Sequence, residues 1–266
     1  MTDLTMNDGR AIPAIGFGSY RVPPDEAERI ARDGVAAGYR LADTAAFYAN
    51  EAGVAAGIAG HDIFLTTKLW RDEMGYDAAL RGFDASLAEL GRESVDLYLV
   101  HWPMPSQGRY VETWKAFVRL RDEGRAKSIG VSNFEADHIR AIADATGVLP
   151  ALNQVELHPA FQQRALRGFH AEQGIVIQSW APLGQGNLLA APAIAAVAKK
   201  HGATPAQAIL AWHRRHGLAT IPKASSPGRL AENLASLGLV LDADDMAAID
   251  ALDDPGGRMG PDPATM

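Results

Sequence analysis

Four polar side chains stand at the ends of apolar runs in this chain: Asp43, Tyr48, Lys68 and His101. Asp43 follows Tyr39-Arg40-Leu41-Ala42, and Tyr48 comes five residues later. Lys68 closes Ile63-Phe64-Leu65-Thr66-Thr67, and His101 closes Asp96-Leu97-Tyr98-Leu99-Val100. A carboxylate, a phenol, an ammonium and an imidazole gathered at one place make a proton-transfer site. A free phenol has a pKa of about 10, too high to give up its proton readily near neutrality. A buried ammonium beside it favours the phenolate and lowers that value. Asp43 is the candidate counter-ion that holds Lys68 charged and in place. His101 can orient a carbonyl by hydrogen bonding. Such a group would protonate a carbonyl oxygen while its carbon takes up a nucleophile. No side chain is an obvious nucleophile, so a cofactor hydride is the natural partner. Singly, each residue has a plainer reading: a turn cap, a loop tyrosine, a solvated lysine, a satisfied core histidine. Their order and spacing together favour the catalytic one.

Elements must bring them together. Strand-like apolar runs recur at 15–18, 41–44, 63–68, 97–101, 128–133, 152–156, 176–180 and 220–223. They are nearly continuous, as in strands buried on both faces. Helical patterns fill the gaps. Leu80, Phe83, Leu87 and Leu90 recur at helical spacing, as do Val111, Trp114 and Val118 up to the polar Arg121. Thr204-Pro205-Ala206-Gln207 offers an N-cap, a proline at the first helical position and a capping-box partner. Asp242 to Asp245 open a final helix over 246–252, with acids at its positive end. Before the first run, Leu4-Thr5-Met6 and Ala11-Ile12-Pro13 flank Asn7-Asp8-Gly9-Arg10, a tight-turn signal for a small hairpin over about 4–13. Eight strand–helix units predict an α/β fold of the (β/α)8 TIM-barrel type with an N-terminal β-hairpin. No linker divides the chain, so 1–266 reads as one unit with a tail over about 254–266. The competing doubly wound sheet would announce a G-x-G-x-x-G turn. Gly16-Phe17-Gly18 lacks its third glycine, and Gly184-Gln185-Gly186 also fails. In a barrel, active sites lie at the C-terminal ends of the strands, where Asp43, Lys68 and His101 fall on three successive strands.

Composition narrows the classes. A net charge of −7 argues against a dedicated nucleic-acid surface. With no cysteine, disulfide and thiolate chemistry are excluded, which fits a cytoplasmic protein. No run is long enough to span a membrane. His213 and His216 share a helix face. With Arg214 and Arg215 between them and no acid partner, they read as a solvated face rather than metal ligands, and no metal is expected.

The motifs resemble a known family. Residues 38–51, GYRLADTAAFYANE, look like the first aldo-keto reductase signature; 127–134, KSIGVSNF, like the second; and 221–233, IPKASSPGRLAEN, like the third. VHWP, NQVELHP and SWAPLGQG stand between them in the expected order. The resemblance runs almost end to end and is strongest to bacterial reductases of 2,5-diketo-D-gluconate. It implies an NADPH/NADP+-dependent reductase of aldehydes and ketones. Tyr48 would be the general acid, Lys68 its modulator, Asp43 the partner of the lysine, and His101 the orienter of the carbonyl. Ser132, Asn133 and Gln154 would hold the nicotinamide carboxamide, and Trp180 would stack on its ring. Leu183 and Gly184 would lie over the pyrophosphate. Lys223 and Arg229 would meet the 2′-phosphate and adenine, with Glu232 and Asn233 on the adenine. Tyr20, Trp70 and Trp102 would join His101 around the substrate.

Departures from the family pattern lie mostly at the phosphate end. Ala224 replaces a Ser or Thr, and Ser226 an arginine, so the preference for NADPH over NADH is weakened. Ala42 and Ala55 replace a larger apolar residue and a glycine, and the segment 53–62 is short. The short loop 104–110 and the brief tail 255–266 imply an open pocket for small polar carbonyls in a monomer. Two rivals remain: a non-catalytic NADP(H)-binding or redox-sensing barrel, and a cofactor-free barrel hydrolase or lyase.

Overall fold

The computed structural model describes residues 3–266, so the first two residues of the expected 1–266 unit lie outside it. The chain opens with β1 (Asp3–Thr5) and β2 (Ala11–Pro13), an antiparallel pair around Gly9 at φ 84°, the expected hairpin. It then alternates: β3 (Phe17–Gly18), α1 (Pro24–Ala37), β4 (Leu41–Asp43), α2 (Glu51–Gly57), β5 (Phe64–Leu69), α3 (Tyr76–Leu90), β6 (Val95–Val100) and α4 (Tyr110–Asp122). The second half runs β7 (Ala126–Ser132), α5 (Ala136–Thr146), β8 (Leu152–Glu156), α6 (Arg164–Gln173), β9 (Val176–Trp180), α7 (Pro192–Lys200), α8 (Pro205–Arg215), β10 (Ala219–Thr220), α9 (Pro227–Ala235) and α10 (Ala243–Asp250).

Strands β3 to β10 pair in sequence order, each parallel to the next. Parallel bridges Ile15–Thr220 and Gly18–Lys223 join the first of them to the last and close a barrel. Gly16 N donates to Thr220 O at 2.8 Å, and Thr220 N to Ala14 O at 2.9 Å. All eight expected strands are present, but β3 and β10 are short. Pro222 has no N–H to donate, so regular pairing past Thr220 fails.

Two helices exceed the eight-unit expectation, because α7 and α8 both lie between β9 and β10 and α10 follows α9. α8 has the expected capping box of Thr204 with Gln207. α10 starts earlier than the 246–252 reading, because Asp242 accepts from Asp245 N at 3.0 Å and fixes the first turn there. α1 ends on Gly38 at φ 99°, a left-handed cap.

The core has three parts. Met6 and Ile12 from the hairpin region join Leu41, Leu97, Leu99 and Leu152 in a plug within the barrel. A large apolar cluster includes residues of α1 to α5, and a second includes residues of α7, α8 and α10. The helix-face reading of the two histidines is corrected. His213 is wholly buried, and His216 is half-buried. Pro182 O can only accept, so the Nε2 of His213, 3.2 Å away, carries its proton, and Nδ1 accepts from Ser179 at 3.1 Å. His216 Nε2 pairs with Asp250 at 2.8 Å, a partner 34 residues on that the local sequence hides. Among the described residues no cluster of three or more His, Cys, Asp or Glu is poised to hold a metal. No described helix is long and apolar enough to cross a membrane.

Candidate active site

The barrel brings all four residues to one rim. Asp43 ends β4, Lys68 lies one residue inside the end of β5, and His101 follows β6. Tyr48 ends a single 3-10 turn, Ala46–Tyr48. Buried Asn50 sets that turn against the loop after β3. Its amide donates to Ser19 O and Val22 O, each at 3.0 Å, and its oxygen accepts from Thr44 at 2.8 Å and Ser19 at 3.2 Å.

The wholly buried Lys68 Nζ is the hub. It donates to Asp43 Oδ1 at 2.5 Å, to Thr44 O at 2.8 Å and to the Tyr48 hydroxyl at 3.4 Å. The second oxygen of Asp43 accepts from Gln154 Nε2 at 2.7 Å. Burial pulls Lys68 below its ordinary range and Asp43 above, and their mutual attraction opposes both shifts. Burial, with the charges of Asp43 and Tyr20, pushes the Tyr48 phenol well up. The lowering expected from Lys68 does not prevail, because burial dominates. The phenol is therefore protonated at neutral pH. His101 is held well below its ordinary range by burial and by the Lys68 charge, so its imidazole is neutral. Its Nδ1 is buried with no protein partner among the described residues.

Beside this hub lies a wall of amides and one indole. Asn133, in left-handed backbone at φ 62°, donates to His101 O and to Ser132 Oγ, each at 3.0 Å, and accepts from Trp180 Nε1 at 2.8 Å. Ser132 Oγ donates to Gln154 O at 2.7 Å. Gln154 spends its amide donors on Asp43 and on Gln178 Oε1, the latter at 2.7 Å. Trp180 is half-buried. Leu183 and Gly184 lead the turn Gly184–Gly186 directly after it. Lys223 and Arg229 are exposed beyond the closing seam, with Glu232 half-buried and Asn233 buried on α9. The structure thus gathers the four rim residues and the amide wall, while the cations lie farther out along the chain after β10.

The Aldo/keto reductase family profile matches residues 14–254. The chain belongs to this family. It is 48% identical over 267 aligned residues to an aldo-keto reductase of Mycobacterium sp. (strain KMS), covering 98% of this chain and 96% of that protein. It is 41% identical to the methylglyoxal reductase DkgA of Salmonella typhimurium, covering 98% and 97% of the two chains. Among solved structures, a mutant of Gox0644 in complex with NADPH matches with a TM-score of 0.98 at 54% identity, over 100% of this chain and 98% of the other.

In this aldo-keto reductase, aromatic rings surround the rim. Tyr20 lies 5.2 Å from Tyr48 between ring centroids, Trp70 lies 5.1 Å from His101, and Phe47 stacks on Trp70 at 3.9 Å. Trp102, next to His101, is 9% exposed and lies in the apolar cluster against which Trp70 packs. Phe47, Asn50 and Gln178 were not legible as site residues. Phe47 sits inside the first signature, next to Tyr48, and its aromatic type was the available signal. Gln178 was a lone amide in an apolar run. The two departures on the third signature also find places: Ala224 is buried in the core, and Ser226 caps α9 by accepting from Arg229 N at 3.4 Å.

The tail crosses the top of the barrel. Glu156 accepts from Met259 N and Gly260 N, and Ser106 Oγ donates to Met266 O at 3.3 Å. The expected open mouth is therefore bounded on one side by the chain end. A cleft of about 650 Å³ lined by Leu4, Arg167 and Leu218 lies at the hairpin end and includes none of these residues.

Proposed function

We propose that this aldo-keto reductase reduces small aldehydes, dicarbonyls and keto-sugar acids to alcohols with NADPH, Tyr48 acting as general acid. The observation that supports this best is the Lys68 ammonium, buried between Asp43 at 2.5 Å and the Tyr48 hydroxyl at 3.4 Å. The residues present fit the cofactor. The Trp180 ring offers a flat apolar platform. Asn133 Oδ1 and Gln154 Oε1 keep acceptor capacity for a carboxamide. Lys223 and Arg229 would supply cations for a phosphate, and Leu183 and Gly184 would meet the pyrophosphate. When bound, NADPH supplies a hydride from its nicotinamide ring to the carbonyl carbon. Neutral His101 donates a hydrogen bond to the carbonyl oxygen and fixes its direction. Tyr48 passes its proton to that oxygen as charge develops there. Lys68 stabilises the phenolate left behind, and Asp43 holds the ammonium in position. Tyr20, Phe47 and Trp70 line the reacting face with apolar rings.

The name of the Salmonella relative, a methylglyoxal reductase, supports small dicarbonyls as substrates. A monomer acting in the cytoplasm completes the reading. The test is Tyr48→Phe, assayed with NADPH and methylglyoxal. Cofactor binding should persist, while kcat falls at least ~100-fold, the scale of a lost general acid. Unchanged turnover would remove Tyr48 from the role. Tight NADPH binding by the unaltered protein, with no turnover across a carbonyl panel, would leave only a cofactor-binding barrel.

A further inference from the structure

Glu156, the last residue of β8, is a carboxylate only 1% exposed, and among the described residues no lysine or arginine pairs with it. Two consecutive backbone N–H groups of the tail satisfy it instead. Met259 N donates to Oε1 at 2.7 Å, and Gly260 N to Oε2 at 2.8 Å. His158 Nε2 lies 3.3 Å from Oε1. Hydrogen bonds to an ionised acceptor out of water are among the strong ones. Burial opposes the charge, yet these donors outweigh it and hold the carboxyl below its ordinary range.

The same tail residue touches Trp180. Glu156 and Trp180 are register partners across β8 and β9, so both side chains leave the same end of the sheet. Gly260 lies flat between them. A methyl group on it would come 2.6 Å from Trp180 Cη2 and 2.9 Å from Glu156 Oε2, closer than atoms tolerate. The far edge of the indole is fixed as well, by the bond from its Nε1 to Asn133. Trp180 is thus held at its pyrrole end by the barrel and at its benzo end by the tail. Beyond the clamp the tail continues to Met266, which packs against the apolar cluster containing Trp102 and Met104.

We propose that Glu156 is a positioning residue for the reaction: it clamps residues 259–260 onto Trp180, so that the indole platform and the wall formed by the distal tail are set together. The inference rests on the reading of Trp180 as the nicotinamide platform. Glu156 touches neither substrate nor cofactor and acts through the tail. Replacing its carboxylate by an amide turns an N–H donor toward a backbone N–H, so one of the two bonds is lost.

The experiment compares the unaltered protein with Glu156→Gln and Gly260→Ala. Amide hydrogen exchange of residues 257–266 is read without cofactor. NADPH binding is read by tryptophan quenching, and KM and kcat are read with methylglyoxal. In Glu156→Gln, tail exchange should accelerate and KM rise on the order of tenfold, as expected for one lost bond to a charged acceptor, while kcat changes less than about threefold. Gly260→Ala should reproduce the KM rise with the carboxylate intact, because it wedges the tail off the indole. It carries the test alone if Glu156→Gln does not fold. Unchanged tail exchange in Glu156→Gln overturns the clamp. A freed tail with unchanged KM and quenching overturns its positioning role. If the unaltered protein binds no NADPH, the functional reading fails, while the exchange result still decides the clamp.

Discussion

A buried ammonium is tolerable only while its partner stays. Lys68 has no exposure, and its main anionic contact is Asp43. Removing one member of such a pair typically costs about 3–5 kcal/mol, because the other is left charged and dry. Asp43→Asn should therefore lose roughly that much stability in urea denaturation, along with turnover. The double variant Asp43→Asn, Lys68→Met should recover most of the stability and none of the turnover. A single variant as stable as the parent would show that the ion pair contributes nothing to the fold. The rim residues were readable because four polar types recur near the ends of apolar runs in one order and spacing, although each alone has a plainer reading. Their supports were not. Gln154 meets Asp43 from 111 residues away, and Glu156 meets a tail more than 100 residues on. A single amide or carboxylate inside a strand carries no local sign of such a partner.

Among the elements, α2 bears most directly on the site, since it starts three residues after Tyr48. It overlaps the segment 53–62, which is short for the family. Its brevity is matched by close packing on α1: a Cβ on Gly57 would lie 2.4 Å from Glu28 O and 2.5 Å from Ala31 Cβ. Backbone cannot yield as a side chain can. Gly57→Val should cost about 1–3 kcal/mol by overpacking, measured by thermal denaturation, and should lower kcat by shifting Asn50 and the Tyr48 turn. Full stability in that variant would mean the two helices can separate freely. Strand and helix types were legible from apolar runs and cap residues. Boundaries were less so. Pairing at β3 and β10 depends on which backbone groups meet across the seam, and a proline there cuts it short. The additional helix α7 lies between two expected units, in an alanine-rich stretch with little periodic contrast.

For the whole molecule, titration of buried groups sets how stability depends on pH. Burial holds the His213 imidazole down at about 3, against about 6.5 when free. Between those values the unfolded chain binds a proton that the folded one refuses. The contribution of His213 to stability is therefore full above about 6.5 and declines as pH falls toward 3, by on the order of a few kcal/mol. Glu156, held below its ordinary range, adds a loss only once pH falls under about 4.3. Thermal midpoints should fall from pH 7 to pH 5, and His213→Gln should flatten that slope. An identical slope would assign the acid sensitivity elsewhere. The barrel's closure carries a different consequence, one of timing. Ile15 meets Thr220 roughly 200 residues along the chain, so the ring is sealed by one of its longest-range contacts. During synthesis, seven barrel strands, β3 to β9, emerge before β10, the strand that seals the open side of β3, has been made. Through that interval β3 waits as a free edge, and at two residues it is a poor template for another chain to extend.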